Sequence, residues 1–210
     1  MRIAIFSDVH GNLPALELFI KETKDCDEYI FLGDAVNYGP WGNECVQLIE
    51  EINPLAKILG NHEEAFIKGE YNGKHIVPQT FFEYCYPRFD LFEELKTYSE
   101  TQVYNNFFLV HTLDGRTIFP DSEITIEQNC MIGHSHKQYI LEQEAFRLIN
   151  PGSVGQNRTN IDLINYTIWD TRRMEFEEKS ITYDSNIVIN EMEALKFPPL
   201  CINYYKGKQK

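Results

Sequence analysis

The chain has 210 residues, 43% of them hydrophobic, and its 32 acidic and 19 basic residues give a formal charge of −13. This composition suits a globular protein with enough apolar residues for a sizeable core. The acidic balance argues against a general nucleic-acid-binding or anionic-membrane surface. A phosphate-bearing substrate stays open, because bound metal ions reverse the potential locally.

Residues 2–7 predict a short buried strand that stops at Ser7-Asp8-Val9-His10. If the extended backbone continues, Asp8 and His10 lie two apart and share a face. Leu13, Leu16, Phe19 and Ile20 form a helical stripe running to about Lys24, with Asn12 placed to cap it and Pro14 in its first turn. Tyr29 to Leu32 is a second strand, ended by Gly33-Asp34. Cys45, Leu48, Ile49 and Ile52 mark a second helix. Ala56 to Leu59 is a third strand, ended by Gly60-Asn61-His62. This β-α-β-α-β order predicts a parallel sheet with helices on both faces. Residues 63–98 carry many aromatics and no comparable strand, so helices or a cap are expected there. Strands return at 107–110 before His111 and at 130–132 before Gly133-His134-Ser135-His136. Antiparallel strands are expected at 139–141, 146–149, 165–169 and 174–182. A helix is expected over 184–195, broken by Pro198-Pro199, followed by a basic end at 206–210 that frays.

One pattern recurs five times: an apolar strand ends and a metal-capable side chain follows at once. The sites are Asp8 with His10, Asp34, Asn61 with His62, His111, and His134 with His136; of the six histidines only His75 stands elsewhere. Ligands of open α/β sheets bind beyond the carboxyl ends of the strands, so five strands deliver polar ends to one place. Histidines, carboxylates and an amide without cysteine suit manganese, iron, cobalt, nickel or a catalytic zinc rather than a structural zinc. The number of candidate ligands exceeds what one ion needs and fits two. A Ser-His-Asp triad fits less well, since neither Ser7 nor Ser135 lies in a G-x-S-x-G turn.

Asp8-x-His10, Gly33-Asp34, Gly60-Asn61-His62-Glu63, His111 and Gly133-His134-Ser135-His136, in that order, resemble the calcineurin-like metallophosphoesterases. The stretches at 33–40 and 150–156 resemble their compact single-domain prokaryotic branch. The resemblance implies one domain over 1–210 with an α/β (α+β four-layer) fold, in which mixed β-sheets are sandwiched between helices and a dimetal site lies at the strand C-terminal ends. It implies two divalent ions per chain, manganese favoured. Asp8, His10, Asp34 and His136 would hold the first ion; Asp34, Asn61, His111 and His134 would hold the second, with Asp34 bridging. The nucleophile would be a metal-bridging hydroxide, and His62 would be the general acid at the leaving group. Asp34 and His62 are therefore the catalytic candidates.

The Ser/Thr protein phosphatases of that family have Asp-Arg-Gly after the Gly-Asp element, whereas Val36-Asn37-Tyr38-Gly39 stands here. An arginine clamp on a phosphate monoester is therefore missing there, which argues against a protein phosphatase; a phosphodiester is the expected substrate. A phosphomonoester, a pyrophosphate linkage and a non-catalytic metal-binding scaffold are the competing readings. Asn12, Asn37 and Arg158 are the next polar groups expected around the substrate, although helix capping also explains Asn12 and a solvated position also explains Arg158. Asp8 interrupts the apolar start, so no secretory leader is expected, and no stretch is long enough to span a bilayer. Cys26, Cys45, Cys85, Cys130 and Cys201 are scattered and odd in number, as reduced thiols of a cytoplasmic protein would be.

Overall fold

A computed structural model of the chain describes residues 1–209. The first half alternates strands and helices: β1 (Arg2–Phe6), α1 (Leu13–Glu22), β2 (Glu28–Phe31), α2 (Gly42–Ile52) and β3 (Ala56–Lys57). Three helices follow, α3 (Asn61–Lys68), α4 (Ile76–Cys85) and α5 (Phe92–Leu95), with a 3₁₀ turn at Tyr86–Arg88. The second half carries β4 (Thr101–Tyr104), β5 (Phe107–Val110), β6 (Cys130–Met131), β7 (Gln138–Gln143), β8 (Phe146–Pro151), β9 (Leu163–Asp170) and β10 (Glu175–Thr182). It closes with α6 (Asn186–Ala194) and α7 (Pro199–Lys206). Among the described residues no helix is long and apolar enough to cross a membrane.

The strands form two mixed sheets, ordered β10-β9-β1-β2-β3 and β4-β5-β6-β8-β7. β1, β2 and β3 are parallel, and β9 returns antiparallel to β1, with Ile3 opposite Trp169. The mixed α/β architecture with two mixed sheets is as expected. The covering of the first sheet is a correction, because helices pack on only one of its faces. Alternation along β1 decides the faces: Ala4 and Phe6 point to α1, α2 and α3, meeting Leu16, Phe19, Val46, Ile49 and Phe66. Ile3 and Ile5 point the other way, with Ile30 and Trp169, onto Phe107, Leu109, Met131 and Ile149 of the second sheet. β1 is apolar on both sides in either arrangement, so its sequence does not distinguish a helical cover from a second sheet. The far face of the second sheet is closed by Ile118 and Ile126 from the long loop before β6.

Residues 63–98 are helical, as expected. Phe81 of α4 packs on Phe197 and on Tyr205 of α7, within a cluster that also holds Val188, Ile189 and Met192 of α6. The chain end is better ordered than its basic composition predicts. Pro199 opens a helix rather than only ending one, which suits its missing N–H. Tyr205 is fully buried, and the Lys208 carbonyl accepts from Ile161 N at 3.0 Å. Lys210, the last residue of the segment expected to fray, lies outside the described residues. None of the five cysteines is paired with another.

Candidate metal centre

The loops after β1 and β2 continue the parallel pairing past the strands. Asp8 N donates to Gly33 O (2.9 Å), His10 N to Asp34 O (3.0 Å) and Gly11 N to Ala35 O (2.7 Å). Asp8 and His10 do not share a face of an extended strand. β1 ends at Phe6, and both residues take left-handed backbone, φ 55° and 51°. Asp34, His134 and His136 do the same, at φ 63°, 68° and 56°. Asp, Asn and His enter this region more readily than most residues, yet the conformation persists only where the surroundings enforce it. The chain turns sharply after each strand and presents each side chain inward.

Three triplets result. Asp8, His10 and His136 have ligand atoms within 4.8 Å of one another, and so do Asp34, His111 and His134; His10, Asp34 and His62 form a third, which shares His10 and Asp34 with the other two. His136 Nε2 lies 3.2 Å from Asp8 Oδ1, and His111 Nε2 lies 3.1 Å from Asp34 Oδ2. Asn61 Oδ1 joins the second triplet, 3.2 Å from His111 Nε2 and 2.7 Å from His134 Nδ1. Asp34 Oδ2 also stands 3.8 Å from His10 Nε2, between the two groups.

Whether cations fit is decided by the tautomers, which follow from the partners. His10 Nδ1 lies 3.0 Å from Val36 O, His136 Nδ1 2.6 Å from Gln156 O, and His111 Nδ1 2.7 Å from Leu32 O. A carbonyl only accepts, so each Nδ1 carries a hydrogen; Nε2 of His10 and His136 then presents a lone pair, while Nε2 of His111 faces the Asp34 carboxylate. His10 Nε2 and His136 Nε2 are 3.3 Å apart, and the buried Asp8 Oδ1 beside them has no hydrogen-bond partner. Such a cluster of acceptors without a donor fits a divalent cation bound by nitrogen and oxygen.

Electrostatics agrees. Burial pushes His10 down to about 3 and His134 down to about 4, and pushes His136 well below the ordinary imidazole range, so these rings are neutral and ready to ligate. Burial pushes the Asp8 carboxyl up to about 7, and the Asp34 charge adds to that. For Asp34, burial is outweighed by the imidazoles of His111, His62 and His10, and its carboxyl is held well below the usual range. Burial alone would lower His111, but Asp34 and Asp8 raise it to about 10.

His62 is 6% exposed, and its ring lies beside both His10 and Tyr38. Asn37 Nδ2 approaches its Nδ1 at 2.9 Å and also donates to Pro78 O at 3.3 Å, which fixes the amide orientation. His62 Nδ1 is therefore the acceptor, and Nε2 bears the hydrogen. Burial lowers the pKa of His62, with Asp34 opposing.

A cleft of about 490 Å³ opens over the site, lined by Asn61, His62, His134, Arg158, Tyr71 and Tyr204 among others. Of the residues expected around the substrate, Arg158 lines it. Asn12 does not: its Oδ1 accepts from Ala15 N (3.2 Å), and its Nδ2 donates to Gly155 O (2.8 Å) and Tyr183 Oη (2.7 Å). Capping and loop bracing occupy the whole side chain. Asn37 is also outside the lining and holds His62 instead.

Sequence reasoning assigned no role to four buried residues that hold the site together. Glu63 accepts backbone N–H bonds from Asp34 (2.7 Å), Ala35 (2.8 Å), Val36 (3.2 Å) and Gly60 (2.9 Å). A Cβ on Gly60 would stand 2.2 Å from Asp34 Oδ1, so only glycine allows this approach. Asn150 Nδ2 donates to Gly133 O (2.7 Å) and Ser135 Oγ (3.0 Å), and Ser153 Oγ donates to Asp8 O (2.7 Å). The Gln156 carbonyl sets the His136 tautomer. The available signal was position: Glu63 completes the 60–63 motif, and the other three lie in the 150–156 stretch.

A family model described as the calcineurin-like phosphoesterase superfamily domain matches residues 1–174. An uncharacterized protein of Methanocaldococcus jannaschii is 29% identical over 223 residues, spanning 87% of this chain and 88% of that protein. A metallophosphoesterase from Sphaerobacter thermophilus shares the fold with a TM-score of 0.81 at 23% identity, covering 99% of each chain. A structure described as a novel archaeal phosphodiesterase gives a TM-score of 0.53 at 20% identity, covering 86% of this chain and 100% of that one.

Proposed function

The chain belongs to the calcineurin-like phosphoesterase superfamily, and from that premise we propose that it is a dinuclear metal-dependent phosphodiesterase. The observation that carries the proposal is the donor-free cluster of Asp8, His10 and His136 beside the triplet of Asp34, His111 and His134, with Asp34 between them. Asp8, His10, Asp34 and His136 would hold one ion, and Asp34, Asn61, His111 and His134 the other. When bound, such a pair of ions makes a water acidic enough to attack near neutral pH and neutralises the phosphoryl oxygens.

The remaining chemistry belongs to the side chains. Hydrolysis forms a new P–O bond to the attacking oxygen and breaks the P–O bond to the leaving alcohol, whose oxygen requires a proton. His62 Nε2–H faces that task with its ring held by Asn37. Arg158, exposed at the cleft wall, would bind an anionic oxygen of the substrate. The diester preference rests on the loop after β2: Val36 is fully buried and Asn37 is occupied by His62, so that loop brings no cation to a terminal phosphate dianion. Manganese is the first metal to test, and the mixed imidazole and carboxylate set also suits iron, cobalt, nickel and zinc.

The test is a pair of variants. His62→Ala should keep two ions per chain and lose about 10²–10⁴-fold in turnover. Asp34→Ala should lose metal. A His62→Ala protein that binds only one ion would instead make His62 a ligand.

A further inference from the structure

One wall of the cleft has a charge that contradicts the rest of the molecule. Arg158 and Tyr204 line the cleft with His62 and His134. Behind them Lys208 donates to Tyr204 Oη at 2.5 Å, with its ammonium 3.9 Å from the centre of that ring. Lys137 donates to Thr159 Oγ1 at 2.5 Å, next to Arg158. The Ile161 N to Lys208 O bond ties the chain end to the same loop. Three cations thus converge from three segments: the residue after His136, the loop after β8 and the end of α7.

Among the described residues none of the three is in an ion pair. Carboxylates are the majority charge in a chain of formal charge −13, yet none forms an ion pair here, although Arg158 acts at longer range on Asp8 of the metal floor. Like charges held together without a counter-charge destabilise the fold unless an anion is bound among them. Burial, then Arg158 and Lys137, push Lys208 down to about 8, the strain expected of such a cluster. The hydrogen bonds also leave capacity for a ligand. Tyr204 Oη accepts from both Gln156 Nε2 and Lys208 Nζ, so its own proton remains to donate.

We propose that Lys137, Arg158, Tyr204 and Lys208 form a second anion subsite, so that the substrate carries another phosphate group beside the one that is hydrolysed. Ammonium, guanidinium and phenol donors converging from three segments match the several acceptor oxygens of a phosphate. This inference rests on the phosphodiesterase reading for what happens at the metal floor, but the subsite itself can be tested by binding alone.

The experiment uses the full chain loaded with Mn²⁺. Calorimetry compares thymidine 3′,5′-bisphosphate with thymidine 5′-monophosphate in the wild type, Lys208→Met and Lys208→Arg, and hydrolysis of bis(4-nitrophenyl) phosphate is measured in parallel. The bisphosphate should bind about tenfold tighter than the monophosphate, as one added charge-assisted contact implies. Lys208→Met should lose that preference, Lys208→Arg should retain it, and hydrolysis of the single-phosphate diester should be unchanged in both. Equal binding of the two nucleotides by the wild type, or equal weakening of both by Lys208→Met, would overturn the subsite. Preference without hydrolysis of the diester keeps the subsite and removes the diesterase reading; hydrolysis without preference does the reverse.

Discussion

Glu63→Gln is an isosteric change at a residue that touches no metal-facing atom, and the structure assigns it a large effect. Each Glu63 oxygen accepts two backbone N–H bonds: Oε2 from Asp34 and Gly60, Oε1 from Ala35 and Val36. In either orientation the glutamine NH₂ faces two donors, so two bonds to a charged acceptor are lost and the N–H groups stay buried. At about 1.5–3 kcal/mol for each such bond the gross loss is about 3–6 kcal/mol, and relief from burying a carboxylate offsets part of it. A net loss of about 3 kcal/mol lowers the melting temperature of a chain of this size by about 6–12 °C. The loop that weakens carries Asp34, whose backbone would no longer be anchored, so metal affinity should fall about 10–100-fold. Scanning calorimetry of the metal-free protein reads the first effect, and metal content after dialysis against a graded chelator reads the second. A Glu63→Gln protein that melts with the wild type and keeps both ions would refute the reasoning.

Two other expectations follow from the packing of the core and the charges at the site. Trp169 is fully buried between the sheets, stacked on Phe176 at 5.3 Å and edge-on to Phe107 at 5.2 Å, and its indole N–H has no partner. Trp169→Ala should therefore cost about 3–5 kcal/mol in a urea titration, while Trp169→Phe, which removes the unpaired donor and keeps a ring, should cost less than half of that. Asp34 raises His111 to about 10, so in the metal-free protein that ring is protonated at neutral pH and must release its proton to ligate. Metal affinity should accordingly rise with pH, by up to about tenfold per unit below pH 10, and calorimetry in buffers of different ionisation enthalpy should register the proton. Uptake of the second ion without proton release would contradict the His111–Asp34 pairing.

Much of the site was legible in the sequence because its grammar is local: an apolar run, then a metal-capable residue, five times over. Asp8, His10, Asp34, Asn61, His111, His134 and His136 do converge. The manner of convergence was not legible. Asp8 and His10 meet through left-handed turns rather than the pleat of a strand, and such backbone is stabilised by partners remote in sequence, as Ser153 and Asn150 show. Glu63 was hidden for a related reason. A glutamate three residues into a helix is explained locally by its bond to Gly60, and nothing local reveals the three further donors at 34–36. The β-α-β-α-β order points to helices on both faces of the first sheet, because a strand that is apolar on both sides fits either kind of cover; the packed pair of sheets is implied only by the family resemblance. The final helix was missed because Pro198-Pro199 was read as a stop, while the second proline occupies the one helical turn that tolerates it.

The most direct measurement strips the protein of metal, restores Mn²⁺ while the ions per chain are counted, and follows hydrolysis of bis(4-nitrophenyl) phosphate against 4-nitrophenyl phosphate. Two ions per chain, turnover that appears only with the metal, and faster hydrolysis of the diester are expected. Two bound ions without turnover of either compound would contradict the enzymatic reading, and faster hydrolysis of the monoester would contradict the diesterase assignment.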